Sequence, residues 1–153
     1  MPFCTRKSPR IPQYDYSSNN YYFITLCTHG KKCIFWERQE MNQLGVIVKQ
    51  HIDNIGLHHN GVIVDKYVVM PNHIHMIVAL QESNISVNYL VALFKTGVTK
   101  QIREQYPEMQ IWQRSFHDHI IRNQADYERI WFYIDTNPQR WDEDCFYQDL
   151  RAD

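Results

Sequence analysis

The sequence predicts an α+β domain of the ferredoxin-like, split βαβ class: an antiparallel sheet with helices on one face, followed by a further C-terminal helix. Strand and helix periodicities follow one another in the order β-α-β-β-α-β-α. The 153 residues are the length of one domain, with no repeat, low-complexity stretch or internal linker. Hydrophobic residues at 44% and charged residues at 22% suit a globular chain with a real core.

Each element has its own signal. Residues 1–19 are polar and contain proline, and they read as an extended basic arm before a domain spanning 20–141. Residues 21–28 (YYFITLCT) are β-branched and aromatic, a strand. From residue 37 to 55, Met41, Leu44, Val48, Ile52 and Ile55 recur at steps of three and four, a helix with one buried face. Residues 61–70 make a second strand, Pro71-Asn72 a turn, and residues 73–80 (HIHMIVAL) a third strand. Val87, Leu90, Val91, Phe94, Val98 and Ile102 mark a second amphipathic helix, and residues 111–122 a fourth strand. Asn123 can cap a last helix, with Asp126 in its first turn, and Pro138 ends that helix near Asn137. Residues 142–153 form an acidic tail.

Composition excludes several classes. No apolar run approaches the roughly 20 residues that span a bilayer. The N-terminal residues lack an apolar signal region, so a cytoplasmic protein is expected. With five glycines there is neither a phosphate-cradling Gly-rich loop nor G-x-S-x-G. The four cysteines form no C-x-x-C pair and read as reduced thiols. Net charge is −1, against a general DNA-coating protein, yet the charge is uneven. Residues 1–50 carry seven Lys/Arg against three acids, and residues 101–153 six against eleven. A basic front can serve a local polyanion site.

Five groups could carry chemistry. His73 and His75 leave one face of the third strand, with backbone positions roughly 6.6 Å apart, so their imidazoles can meet on one metal ion. His117-Asp118-His119 repeats this on the fourth strand, and spacing alone does not choose between the pairs. Tyr133 and Asn137, four apart on the last helix, share a face and could set a nucleophile beside an oxygen ligand. Lys95, Thr99 and Arg103, with Lys100 nearby, form a helical row that could track phosphates. Arg6, Lys7, Arg10, Lys31 and Lys32 lie close in sequence to Tyr14, Tyr16, Tyr21 and Tyr22, a mixture suited to single-stranded or hairpin nucleic acid. For each group a packed or solvated surface is the plainer alternative.

Taken together, YYFITLCTH (21–29), DKYVVMPNHIHMIV (65–78), LVALFKTGVTKQI (90–102), WQRSFHDHIIRN (112–123) and YERIWFYIDTNP (127–138) resemble the REP-associated tyrosine transposases among the single-tyrosine HUH transposases. The resemblance runs from about Tyr14 to Trp141. It implies the HUH endonuclease fold, in which the last helix is the catalytic one. It implies His73 and His75 as metal ligands, Tyr133 rather than Tyr127 as nucleophile, Asn137 as third ligand, and supporting roles for Asp118 and Arg122. The implied cofactor is a divalent metal, Mg²⁺ or Mn²⁺; two imidazoles suit Mn²⁺ better, and Mg²⁺ is the more available. The implied substrate is single-stranded DNA with an imperfect, REP-like hairpin, cut through a 5′-phosphotyrosine and rejoined. Arg6, Lys7, Arg10, Lys31, Lys32, Lys95 and Arg103 would bind its phosphates. A monomer acting in cis and a homodimer exchanging the tyrosine helix are both open. So are a hairpin-binding protein without cleavage and a zinc domain using Cys27 or Cys33.

Overall fold

The computed structural model describes residues 20–148. Four strands form an antiparallel sheet in the order β4-β5-β1-β6: β1 (Asn20–Cys27), β4 (Val62–Val69), β5 (His73–Leu80) and β6 (His117–Ile121). That is the order of the split βαβ pattern, with the first and third long strands side by side at the centre. Short β2 (Trp36–Glu37) and β3 (Glu40–Met41) form a separate hairpin, followed by α1 (Gln43–Asp53) and α2 (Ile55–His58). α3 (Val87–Ile102) links β5 to β6, and α4 (Gln124–Thr136) ends the domain.

Side-chain alternation gives the sheet two different faces. Tyr22, Ile24 and Leu26 of β1 lie beside Val78, Met76 and Ile74 of β5, and α1 and α3 cover that face with the main core. Phe23, Thr25 and Cys27 lie beside Ile77, His75 and His73 on the opposite face. There α4 lays Ile130 and Ile134 on Phe23, Ile77 and Ile121, a second and smaller core. Two helices therefore share one face, and the last takes the other.

Capping explains where the helices begin. Asn42, Ser86 and Asn123 each accept a backbone N–H three residues on, at 3.0, 3.1 and 2.8 Å. The first helix starts later than its periodicity suggests, because Met41 belongs to β3 and folds over Gly45. A Cβ on Gly45 would lie 2.4 Å from the Phe35 carbonyl oxygen, so only glycine lets α1 approach. The last strand is also shorter than expected. Lys95 Nζ donates to the carbonyls of Gln113 and Ser115 at 2.9 and 3.1 Å, and only an isolated bridge joins Thr28 to Trp112. Cys27 is a buried free thiol, but Cys145 is disulfide-bonded, which corrects the expectation of reduced thiols throughout. Spacing along a chain does not say which cysteines a fold brings together. Among the described residues no helix is long and apolar enough to cross a membrane.

Candidate active site

His73 and His75 stand at the first two outward positions of β5, on the face that α4 covers. Both are wholly buried, and their rings lie 4.7 Å apart at a steep angle. Each is held by its Nδ1. Asn72 Oδ1 lies 2.8 Å from His73 Nδ1, and Thr25 Oγ1 lies 2.8 Å from His75 Nδ1. The Asn72 amide is itself oriented, since its Nδ2 donates to the carbonyls of Lys31 and Phe146 at 3.0 and 2.7 Å. Its Oδ1 must therefore accept, which puts the His73 proton on Nδ1 and a lone pair on Nε2. The Nε2 atoms of both histidines and Oδ1 of Asn137 are buried without a hydrogen-bond partner. Buried polar atoms are rarely left so.

The segment after α4 completes the group. Asn137 caps the helix and leads into a 3-10 turn, Pro138–Glu143, so that Asp144 returns to the histidines. Asp144 Oδ2 lies 3.7 Å from His73 Nε2 and accepts from Asn137 Nδ2 at 3.0 Å, while Oδ1 accepts from the Phe146 N–H at 2.8 Å. Ligand atoms of His73, His75 and Asp144 all fall within 4.8 Å of one another. Two neutral nitrogens and oxygens from Asp144 and Asn137 are a donor set for a divalent transition ion, and held Nδ1 atoms are the usual support of such a site. Phe146 and Trp141 cover His73, with ring centroids 4.8 and 6.2 Å away.

Tyr133 reaches the same place from α4, its ring edge-on to His75 at 5.3 Å and to Phe23 at 6.4 Å. Burial is the main cause that raises its phenol pKa, and Asp144 adds to this. Arg140 and a hydrogen bond with Asn137 pull it down. Burial also pushes His73 down to about 3, with nearby Asn137 opposing this and Lys31 adding to the fall. His75 is lowered by burial and then by His73. The imidazoles are thus neutral and the phenol protonated near neutral pH.

The second histidine pair shares this sheet face, because Thr25 stands between His75 and His117 in register. His119, however, turns to Asp126 of α4, with Nε2 2.7 Å from Oδ2. Tyr127 is tied to Asp65, which raises its pKa to about 12, and it packs edge-on against Tyr21. Asp118 lies on the other face of β6, opposite Ile24, and Arg122 is exposed beyond the strand; neither joins the group. Lys31 Nζ sits 4.9 Å over the Phe146 ring, at the margin of the site, and Lys32 is exposed nearby. Lys95 and Arg103 lie along α3, away from the histidine pair. Arg6, Lys7 and Arg10 fall outside the described residues.

Sequence reasoning missed Asp144, Arg140 and the supporting Asn72 and Thr25. Asn72 had a signal, standing directly before the histidines. Asp144 had none, being one of eleven acids after residue 100.

A split βαβ sheet with two histidines on a central strand, facing a tyrosine on the helix laid across them, defines the HUH class of transposases. The chain belongs to the IS200-like transposase family, whose sequence profile it matches over residues 16–137. An uncharacterised Haemophilus influenzae protein is 33% identical over 94% of each chain. Another from that organism, described as a REP-associated tyrosine transposase, is 30% identical over 56% of this chain and 59% of its own length. Among solved structures, a REP-associated tyrosine transposase bound to a REP hairpin superposes with a TM-score of 0.63 at 20% identity, covering 87% of this chain and 74% of that one. A Deinococcus radiodurans protein described as a transposase gives 0.56 at 15% identity, over 84% and 97%.

Proposed function

We propose that this transposase cuts a single DNA strand beside a hairpin and rejoins it, with Tyr133 as nucleophile and a divalent ion held by His73, His75 and Asn137. The observation that carries this reading is the convergence of three buried, unpartnered ligand atoms with the ring of Tyr133. When bound, the ion supplies Lewis acidity toward the scissile phosphate and stabilises negative charge near the phenol. Mn²⁺ suits the two imidazoles better than Mg²⁺.

The chain's own residues do the rest. Asn72 and Thr25 fix the imidazole orientations, and the surrounding apolar groups keep them unprotonated. The Tyr133 oxygen attacks phosphorus, the bond from phosphorus to the 3′-oxygen breaks, and that oxygen leaves as a 3′-hydroxyl once protonated. The 5′-phosphotyrosine conserves the phosphodiester bond energy, so a 3′-hydroxyl can attack it and release the phenol. Arg140 lies close enough to favour the ionised phenol. Both histidines are wholly buried, His73 beneath Trp141 and Phe146 and His75 beside Tyr133 and Phe23, so a phosphate reaches them only when part of this cover moves aside.

Incubation with labelled hairpin DNA and Mn²⁺ or Mg²⁺ tests the reading on denaturing gels. Tyr133→Phe should form no protein–DNA adduct, whereas Tyr127→Phe should retain it. A wild-type protein that binds the hairpin but never forms an adduct would make this a binding protein instead.

A further inference from the structure

Lys31, in the turn after β1, stands in the left-handed region at φ +54°, directly after Gly30 at +63°. A residue with a Cβ rarely adopts this conformation, and glycine enters it more readily. Here neighbouring groups hold the backbone. The Lys31 N–H donates to the Thr28 carbonyl at 3.0 Å, and the Thr28 N–H donates to the Asn72 carbonyl at 2.9 Å. The Lys31 carbonyl accepts from Asn72 Nδ2 at 3.0 Å, and the same amide orients His73. That carbonyl bond needs no lysine. A side chain kept where glycine fits the backbone better has a task of its own.

The ammonium end lies beside the histidines. Nζ sits 4.9 Å over the Phe146 ring, and the same ring lies 4.8 Å from that of His73. Burial raises the Cys27 thiol to about 11, and Lys31 is the first of the charges that pull it back. Cys27 is the register partner of His73, so the field of Lys31 reaches the strand end that carries the site. Among the described residues Lys31 meets no carboxylate. Arg140, the other cation near Tyr133, is engaged by Glu143 at 3.0 Å. An ammonium on an aromatic face is held less strongly than one against a phosphate oxygen. Once Phe146 moves aside, Lys31 has exchanged a weak partner for a place beside the incoming anion.

We propose that Lys31 is a catalytic residue, whose ammonium leaves the Phe146 ring for a non-bridging oxygen of the scissile phosphate and neutralises the charge that builds there as Tyr133 attacks. The assignment rests on the strand-cutting reading of Tyr133. Lys31 transfers no proton. The bond from the Tyr133 oxygen to phosphorus forms, the bond from phosphorus to the 3′-oxygen breaks, and the ammonium stays charged throughout.

Adduct formation is measured in single turnovers, with protein in saturating excess over labelled hairpin DNA in Mn²⁺. Hairpin binding is followed by anisotropy in a Tyr133→Phe background, and thermal melts check folding. Lys31→Gln should slow adduct formation about 100-fold, the loss of one charge-stabilising donor. Its hairpin affinity should fall less than about threefold, the loss of one phosphate contact. Lys31→Arg, which keeps the charge, should return the rate to within about tenfold of the parent. Lys49→Gln removes equal charge on α1 and should stay within about twofold of it. Calorimetry of DNA-free Lys31→Gln should give a Mn²⁺ affinity within about threefold of the parent, because the backbone carbonyl still holds Asn72. An unchanged rate in Lys31→Gln, or a loss that appears in binding instead of rate, would overturn the proposal. So would a weakened Mn²⁺ affinity, which would mean that Lys31 acts through Asn72. A parent protein that binds the hairpin but forms no adduct would overturn the strand-cutting reading itself, and the role of Lys31 with it.

Discussion

Single atoms decide what His73 and His75 can do. An imidazole that binds metal must be unprotonated, and burial holds both residues so across the physiological range. Asp144 is the residue that sequence reasoning had no means to find, yet its carboxylate lies among the ligand atoms. Asp144→Asn should therefore weaken Mn²⁺ binding about 10- to 100-fold in calorimetry of the DNA-free protein. An unchanged affinity would remove Asp144 from the site. The two tyrosines are separated by the same kind of reasoning. Tyr127 is engaged by Asp65 on the neighbouring strand, while Tyr133 faces His75. The pairings His73/His75 and Tyr133/Asn137 were legible as candidates because two-residue and four-residue spacings carry geometry, while preferring them over His117/His119 and Tyr127 came from the family resemblance. Asp144 was not, because its approach depends on a turn several residues after the helix.

At the scale of elements, the proposed chemistry depends on how α4 is placed on the sheet. Among the described residues, His119 of β6 on Asp126, Asp65 of β4 on Tyr127, and Lys66 of β4 on Asp135 and the Trp131 ring join it to the sheet, while the Asn123 cap and the Arg129–Asp126 pair support its first turns from within. Burial opposes ionisation of Asp126, but its hydrogen bonds with His119 and Arg129 prevail and hold its pKa below 3.8. A carboxyl depressed in the folded state contributes stability above its unfolded pKa and loses it as pH falls through the folded value. Asp126→Asn should therefore lower stability at pH 7 by roughly 0.5–1 kcal/mol. The gap between variant and parent should close once the pH is below the depressed pKa, as seen in thermal melts across that window. A gap that persists in acid would assign the effect to packing rather than charge.

Over the whole molecule, one sheet separates two tasks. The α1–α3 side holds the larger core, and the α4 side holds a small apolar cluster beside the polar group of histidines, Asn137 and Asp144. An ion bound only by the folded state stabilises it by mass action, about 2.7 kcal/mol at 100 times Kd. Mn²⁺ at that excess should raise the melting temperature by about 5–10 °C, and His73→Ala should abolish the rise. A shift that survives in His73→Ala would place the ion elsewhere.

The sequence by itself determined the order of elements, the two periodicities that divide the sheet faces, and the local pairs His73/His75 and Tyr133/Asn137. These follow from spacing within one strand or one helix, where geometry is set by backbone repeat alone. The resemblance had singled out His73/His75 and Tyr133, and the tertiary structure shows how that pair and that tyrosine come together, with the Tyr133 ring edge-on to His75. Only that structure decided where helix α1 begins, which cysteine is bonded, and that Asp144 and the cover of Trp141 and Phe146 return to the site. Each of those depends on contacts between residues far apart in the chain, and chain spacing carries no measure of such distances.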